Sequence, residues 1–533
     1  MKERVLILGA SLLQKRAIEA AHELALEAVV IDANENALCV PLADRFEKID
    51  LKDEQAIFEF AKKLKNEAQG LKGIFTCGTD FSKSVSFAGE KLSFACHSYE
   101  ASVNASSKIK MRERFSKNKI PSPQFFSVTK TEIENKKIFD FAKKLSFPCV
   151  AKPSDNMGSR GCKMILSEDE IESSLLSAVK NSRTETALIE EFMDGDEFSI
   201  DALIYKDTMT ITGFADRHIF FPPYFVELGH TLPSEITNEK KLKLIETFSR
   251  ACAALGLTCG AAKADIKWTK DGAKVGEIAA RLSGGYMSGW TFPYASDFNL
   301  TKEALLIATG REPNELLEKR IPLECENVPF QMFEIPANKT SSERALISID
   351  GIVSKIIDVS KNKNENVHDV FFRVEEGSEV SFPTNNVEKC ANVISVSTDR
   401  NTAIFASEEK VSNLVLRLEA NNEKTKKFFL NAETKNFPPS FFPLCDLEKV
   451  QGFIPENKKV SEYVPDVLQK IFESDVRDAN YRSLKKSCEI FDELCPRHPR
   501  LEKKEFWKKA LLGGVQGMLF FADTITATSS ENT

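Results

Sequence analysis

The feature that most constrains this chain is a predicted β-hairpin that brings two acidic side chains together. Residues 261–268 read as a strand, a turn is expected at Asp271 and Gly272, and a second strand follows. Asp265 and Glu277 then lie on adjacent strands, where two carboxylates repel each other unless a cation lies between them. Carboxylate oxygens are ligands that Mg²⁺ prefers. The hairpin therefore predicts a site for Mg²⁺ or Mn²⁺; a surface hairpin with ordinary charges is the alternative.

A second motif is a glycine-containing loop that follows a strand with a lysine near its end. The strand at 150–153 carries Lys152, and the loop adds small or flexible positions at Ser154, Gly158, Ser159 and Gly161. Glycines let backbone N–H groups converge on phosphate oxygens, and the lysine adds a positive charge. No Gly-Lys-Ser/Thr opens a helix here, so this is not a P-loop. We interpret the segment as a phosphate-binding loop; a plain hairpin turn is the alternative.

A third motif is an acidic connection between two predicted strands. It contains Glu190, Glu191 and Met193, and Glu197 lies seven residues after the first of these. The backbone of such a hinge can bond an adenine edge, and the later carboxylate can bond ribose hydroxyls. A solvated acidic turn is the commoner meaning of such a run and is the alternative.

In order and spacing, these three motifs resemble the ATP-grasp superfamily. The resemblance extends to a helix that opens at residues 107–112, where Lys108 occupies the position of a lysine that reaches the nucleotide phosphates. It implies that ATP is bound with Lys108 and Lys152 on its phosphates and the acidic hinge at its adenine. It also implies that Asp265 and Glu277 hold the metal ion.

The same resemblance implies an α/β fold with several domains. A strand at 4–10, followed by a helix, is similar to the α/β domain that precedes the ATP-grasp domain in this superfamily, and two α+β subdomains would then enclose ATP. The β-rich segment that follows resembles the C-terminal domain of biotin-carboxylase-like members, and a helical appendage ends the chain. We expect the following segments: 1–105 α/β, 106–325 ATP-grasp, 326–420 β-rich, 421–523 helical and 524–533 disordered.

One position departs from the superfamily pattern. Many members carry Glu-x-Asn-x-Arg on the second metal strand, whereas this chain has Ala279 at the asparagine position. Some branches, including the amino-acid ligases, have a small residue there and bind metal through the two carboxylates. The number of metal ions, one or two, is therefore left open.

A further segment resembles the substrate loop of L-amino-acid ligases. In that branch an acidic residue and a histidine three positions later face the substrate, and Glu227 and His230 have this spacing. The resemblance implies that Glu227 holds an ammonium group and that His230 holds or deprotonates an incoming amine. Asp216 and Arg217 are weaker candidates for the same pocket. A local hydrogen-bonding role for His230 is the alternative.

The predicted function is ATP-dependent ligation of a carboxylate to an amine through an acyl phosphate. Arg281, four residues after Glu277, offers a planar guanidinium for the transferred phosphoryl group. The backbone of residues 283–285 could bind the substrate carboxylate as a nest of N–H groups. Two alternatives stay open: bicarbonate as the carboxylate, as in carbamoyl-phosphate-synthetase-like proteins, and an ATP-binding scaffold that does not turn over.

Composition supports a cytoplasmic enzyme acting on small molecules. The net charge of -7 means that the chain has no excess of basic residues with which to bind nucleic acid. The twelve cysteines include no Cys-x-x-Cys pair, so reduced thiols are expected. Neither a signal peptide nor an apolar stretch of membrane-spanning length is predicted. The last helix, predicted at 501–522, is expected to pack in a core; a partner or homodimer surface is the alternative.

Overall fold

A computed structural model of the chain describes residues 2–135, 144–434 and 437–531. The chain divides into two compact units. The first contains residues up to 218 and residues 230–341, and the second contains residues 219–229 and 342–533.

The first unit begins with an α/β layer built on a four-stranded parallel sheet of strand order β3-β2-β1-β4. Its elements are β1 Arg4–Leu8, α1 Lys15–Glu23, β2 Glu27–Asp32, β3 Arg45–Lys48, α2 Glu54–Asn66, β4 Leu71–Phe75, α3 Ser82–Lys91 and α4 Tyr99–Ser106. Every residue of β1 is buried, as expected for the centre of a parallel sheet covered on both faces. The α/β layer predicted from the sequence is therefore confirmed.

A second sheet of the first unit is antiparallel, with strand order β5-β8-β6-β7. This part consists of α5 Lys108–Lys117, β5 Phe125–Thr129, α6 Lys130–Glu134, β6 Cys149–Pro153, β7 Lys163–Ile165, α7 Ile171–Lys180 and β8 Thr186–Glu191. It carries the phosphate-loop motif between β6 and β7.

The third layer of the first unit carries the hairpin with the two carboxylates. Its strands run in the order β13-β12-β9-β10, and β15 pairs with β10. The elements are β9 Gly195–Tyr205, β10 Thr208–Phe220, α8 Asn238–Leu255, β12 Gly260–Thr269, β13 Gly272–Ala279, α9 Phe292–Ser296, α10 Leu300–Ala308, α11 Asn314–Lys319, β14 Ile321–Pro322 and β15 Gln331–Glu334. Two further strands, β11 Val226–Leu232 and β16 Thr340–Leu346, contain residues of both units. A π-helical turn, Met287–Thr291, precedes α9.

The second unit joins the predicted β-rich segment and helical appendage around one core. Its further elements are β17 Gly351–Asp358, β18 Val367–Phe372, β19 Glu379–Val380, β20 Ala391–Ser397, α12 Arg400–Asn413, β21 Leu414–Leu418, α13 Glu423–Thr434, β22 Phe453–Ile454, α14 Asp466–Phe472, α15 Leu484–Leu494, β23 Leu501–Glu502 and α16 Lys503–Glu531. Buried side chains of β20, β21, α13, α15 and α16 belong to one apolar cluster. The predicted boundary at 420 is therefore not a boundary between cores.

The last helix is longer than the sequence predicted. Helix α16 extends to Glu531, past Thr524, where a disordered tail was expected, with non-helical dihedral angles at Gly514; residues 532–533 lie outside the described residues. Its stretch Lys503–Thr528 is long and apolar enough to cross a membrane by length and composition, contrary to the sequence-based expectation. Of its most apolar window, 67% is buried, and Trp507, Leu511 and Met518 lie in the core of the second unit. This burial favours the predicted core role.

Candidate active site

The two predicted metal carboxylates lie directly opposite each other. Strands β12 and β13 pair antiparallel with Asp265 facing Glu277, as the hairpin predicted. Asp265 accepts from Lys263 Nζ at 2.5 Å and contacts Arg217 Nη1 at 2.8 Å. Glu277 accepts from Lys108 Nζ at 3.1 Å. Each carboxylate is thus neutralised by a cation from another part of the first unit.

This donor set fits a divalent ion that also binds phosphate. Within residues 2–135, 144–434 and 437–531 there is no group of three or more His, Cys, Asp or Glu side chains suited to a metal. Asp265 and Glu277 offer carboxylate oxygens only, so the remaining ligands of a bound Mg²⁺ must be water and nucleotide oxygens. Mg²⁺ at phosphate-transfer sites is commonly bound by one or two carboxylates in this way.

Lys108 connects the predicted phosphate loop to Glu277, one of the two predicted metal carboxylates. Its Nζ donates to the carbonyl oxygen of Asn156 at 2.8 Å as well as to Glu277. Its backbone N–H donates to Ser154 O at 2.9 Å, which fixes the start of α5 against the start of the loop. Burial lowers the pKa of Lys108, but the nearby carboxylates, led by Glu277, outweigh burial and raise it. The ammonium group therefore stays charged.

Lys152 lies in a buried cluster with one carboxylate and one guanidinium. Its Nζ contacts Glu190, which also accepts from Arg112 Nε at 2.9 Å. Arg112 further donates to the carbonyl oxygen of Gly276 at 2.6 Å. Despite burial, Arg112 and Lys152 hold the pKa of Glu190 below its ordinary value, whereas burial lowers the pKa of Lys152. Sequence reasoning gave Arg112 no role, although it lies four residues after Lys108 on the same helix face.

The predicted phosphate loop contains three residues with left-handed backbone. Gly158 and Gly161 have φ of 66° and 74°, values that glycine adopts without strain, whereas Ser159 between them has a φ of 60°, which is unfavourable for a residue with a Cβ. Ser154, in contrast, is buried, and its hydroxyl contacts two threonine side chains. Its hydroxyl lies 2.9 Å from Thr184 Oγ1 and accepts from Thr186 Oγ1 at 2.7 Å. The structure thus separates Ser154 from the other predicted phosphate-loop residues.

The acidic connection is a strand–turn–strand, as predicted, but its carboxylates are paired with cations. Glu191 accepts from Lys274 Nζ at 3.0 Å. Glu197 contacts Arg217, and Lys267 Nζ at 3.2 Å. Lys267 also donates to the carbonyl oxygen of Met193 at 3.1 Å. These cations tie the hinge to the metal strands.

Two aspartates missed by sequence reasoning contact the segment after β13. Asp80 Oδ1 accepts from Arg281 Nε at 2.9 Å. Asp201 accepts from the hydroxyl and the backbone N–H of Ser283 at 2.6 and 3.3 Å. Burial raises the pKa of Asp201 to about 6. Alternation along β9 places Asp201 on the same strand face as Glu197, a signal that could have identified it.

The predicted substrate loop contains a buried strand. Glu227 and His230 lie on β11, where side chains alternate between faces, so residues three apart project to opposite sides. Glu227 belongs to the second unit and lies 3.7 Å from Lys389 Nζ, and His230 belongs to the first unit. Asp216 accepts from Ser234 Oγ at 2.5 Å. The prediction that Glu227 and His230 share one pocket assumed that both lie on a loop. They lie on a strand instead, so this assumption does not hold.

The fold and a match to a known domain family identify the type of domain. Residues 145–289 match a family described as the ATP-grasp domain, and the chain has the ATP-grasp fold. An L-amino acid ligase from Bacillus licheniformis is similar in structure, with a TM-score of 0.65 and 19% identity, covering 78% of this chain and 99% of that chain. The chain therefore contains an ATP-grasp domain, a domain that is found in ATP-dependent ligases.

Two curated relatives give the level of sequence similarity. An uncharacterised protein of Sinorhizobium fredii is 23% identical over 394 residues, which is 72% of this chain and 77% of that protein. Carnosine synthase 1 of Homo sapiens is 22% identical over 333 residues, which is 58% of this chain and 40% of that protein. The match thus spans less than half of the carnosine synthase.

Proposed function

We propose that this protein is an ATP-dependent carboxylate–amine ligase that joins amino-acid-like substrates. The observation that carries the proposal is the position of Lys108, which contacts both the phosphate loop, at Asn156, and the metal carboxylate Glu277. A triphosphate seated on the loop is then next to the metal site, which is the arrangement that γ-phosphoryl transfer needs. Similarity to an L-amino acid ligase and to a carnosine synthase supports an amide-forming reaction.

The proposed reaction has two steps. A substrate carboxylate oxygen attacks the γ-phosphorus, the bond from that phosphorus to the β–γ bridging oxygen breaks, and ADP leaves. The amine nitrogen then attacks the acyl carbon of the resulting acyl phosphate, the carbon–oxygen bond to phosphate breaks, and a proton is lost from the amine. Both steps depend mainly on positioning and charge neutralisation.

Each group of residues has a role in this scheme. Lys108 and Lys152 hold phosphate oxygens, and the loop from Asn156 to Gly161 covers them. Arg281 neutralises charge on the transferred phosphoryl group. When bound between Asp265 and Glu277, Mg²⁺ supplies further charge neutralisation at the phosphates. Asp201 fixes Ser283, and the backbone N–H groups of residues 284 and 285 that follow it donate to the substrate carboxylate.

The test is ADP release from the full-length protein with Mg²⁺ and ATP across a panel of amino acids and bicarbonate. We expect release that requires an amino acid and yields an amide product detectable by mass spectrometry. Glu277→Gln should abolish turnover yet leave metal-free ATP binding largely unchanged, because Glu277 meets phosphate through the metal ion. Glu239→Gln, on the exposed start of α8, is the matched control.

The alternatives give different results in the same assay. Stimulation by bicarbonate alone would favour a carbamoyl-phosphate-synthetase-like reaction. ATP binding without ADP release under every condition would favour a scaffold. Glu227 and His230 stay predictions for the amine side; of the two, Glu227 is the weaker candidate for an ammonium group, since it already lies beside Lys389.

A further inference from the structure

An aspartate and an arginine form a partly open ion pair at the edge of the proposed phosphoryl-transfer site. Asp80 Oδ1 lies 2.9 Å from both Nε and Nη2 of Arg281. Both contacts use the same oxygen, and no described residue donates a hydrogen bond to Oδ2 of Asp80. The Asp80 side chain is 32% exposed and that of Arg281 is 10% exposed. The carboxylate therefore keeps one oxygen for a ligand.

Backbone contacts hold the two loops together. Asp80 follows β4, Arg281 follows β13, and between them Gly78 N–H donates to Leu282 O at 3.3 Å. A Cβ on Gly284 would lie 3.1 Å from Gly78 O, so glycine allows this close approach. The Asp80 loop is in turn anchored by Thr76, whose hydroxyl donates to Leu8 O at 3.0 Å and lies 3.1 Å from Thr79 Oγ1. The ion pair is thus built on two fixed backbones.

The pair lies within electrostatic reach of the phosphate and metal residues. Arg281 lies four residues after Glu277, whose carboxylate accepts from Lys108 Nζ at 3.1 Å. Arg281 is the group proposed above to neutralise the transferred phosphoryl. A carboxylate that receives this phosphoryl group would then lie beside Arg281, whose guanidinium contacts Asp80 at 2.9 Å.

We propose that Asp80 binds the ammonium group of the amino acid whose carboxylate is activated. An adjacent carboxylate and guanidinium are the charge complement of a zwitterion, in which an ammonium group and a carboxylate are separated by one or two carbons. The substrate class is thus an α- or β-amino acid with a free amino group. This inference rests on the proposed ligase function, and it assigns the ammonium group to the first unit and not to Glu227.

The test compares amino acids with the same acids lacking the amino group. Binding to the full-length protein with ADP and Mg²⁺ is measured by calorimetry for L-alanine and β-alanine against propionate, L-leucine against 4-methylpentanoate, and L-phenylalanine against 3-phenylpropionate. We expect the wild type to bind at least one amino acid more tightly than its partner acid. Asp80→Asn should reduce that preference by about 10- to 100-fold, because a charge-assisted hydrogen bond is lost. Affinity for the partner acid should change little.

Glu3→Gln is the matched control. Glu3 pairs with Arg311 at 2.9 Å, as Asp80 pairs with Arg281, but it lies before β1, at the amino-terminal ends of the parallel strands, whereas Asp80 follows the carboxyl end of β4. We expect this variant to keep the wild-type preference. An equal loss for amino acids and partner acids in Asp80→Asn would show that Asp80 only positions Arg281, and would overturn the inference.

Failure of this inference is distinguishable from failure of the proposed function. ADP release with acids that lack an amino group, without binding of any amino acid in the panel, would overturn the role of Asp80 and leave a ligase intact. Amino-acid binding that depends on Asp80, without ADP release, would support the site and overturn the reaction.

Discussion

At the scale of single residues, the carboxylates of the candidate site are matched by buried cations. Glu190 is paired with Arg112 and Lys152, and Glu277 with Lys108. Removing one member of a buried pair leaves the other uncompensated, which costs more than the pair itself contributes. Substitutions here therefore affect both ligand binding and folding, and each needs a stability measurement beside it.

The phosphate role of Lys152 can be measured directly. Lys152→Ala should weaken ATP binding by about 1.5–3 kcal/mol, the magnitude of a charge-assisted hydrogen bond. Arg112 still neutralises Glu190 in this variant, so the fold should persist. Calorimetric titration with ATP checks the affinity, and Lys180→Ala, at the exposed end of α7, is the control. Unchanged affinity in Lys152→Ala would exclude this lysine as a phosphate ligand.

Asp201 should give the first unit a pH-dependent stability. Its folded pKa of about 6 exceeds the unfolded value of about 3.9, so the folded state binds the proton more tightly. The stabilising contribution is complete below the unfolded pKa and is lost as pH rises through the folded pKa. Between pH 4 and 7.5, the free energy of unfolding of the wild type should therefore fall by roughly 2–3 kcal/mol relative to Asp201→Asn.

Urea unfolding followed by tryptophan fluorescence measures this difference. Asp169→Asn, an exposed position in the same unit, should show no such trend relative to the wild type. A difference between wild type and Asp201→Asn that is constant across this pH range would mean that the carboxylate does not titrate there.

At the scale of elements, strand register assembles the site. Strands β9 and β12 pair so that Glu197 faces Lys267, Ser199 faces Asp265, and Asp201 faces Lys263. Because side chains alternate, these three pairs share one face of the sheet. The same alternation separates Glu227 from His230 on β11. Two residues of a strand thus share a face only when an even number of positions separates them, a constraint that does not apply in a loop.

The start of β9 provides a test of this register. Gly195 has a φ of 143°, and a Cβ there would lie 2.0 Å from the carbonyl oxygen of Trp268. Gly195→Ala should displace β9 from β12 and destabilise the first unit by more than the roughly 1–2 kcal/mol expected from positive φ alone. Gly272→Ala is the matched control, with a φ of 95° but no atom within 4 Å of an added Cβ.

Thermal unfolding compares the two glycine variants. Equal losses would mean that backbone strain alone is responsible and that β9 keeps its register. A larger loss in Gly195→Ala, with weaker metal-dependent ATP binding, is the expected outcome.

At the scale of the whole molecule, the second unit has one core to which its strands and helices both contribute. Trp507 of α16 is fully buried in this core, beside Phe506 at a ring-centroid distance of 5.2 Å. Trp507→Ala should destabilise the second unit by about 3–5 kcal/mol. Phe405→Ala, a large apolar side chain on α12 that is 61% exposed, is the control.

Limited proteolysis and denaturant unfolding measure the stability of Trp507→Ala and of the control variant. Normal stability of Trp507→Ala, combined with an altered oligomeric state, would favour the alternative that α16 covers a partner surface. Loss of stability with unchanged oligomeric state is the result expected for a core helix.

The sequence by itself determined the local units of this protein. The metal hairpin, the glycine loop and the strand–turn–strand hinge each lie within about twenty residues, so turn chemistry and strand patterning suffice to predict them. The tertiary structure decided which cationic side chains neutralise the carboxylates of the candidate site. Lys108 meets Glu277 across 169 residues, and Arg281 meets Asp80 across 201 residues. Such contacts depend on sheet register and on packing between layers, which local periodicity does not encode. For the same reason, only the structure showed that the β-rich segment and the helical appendage share a core.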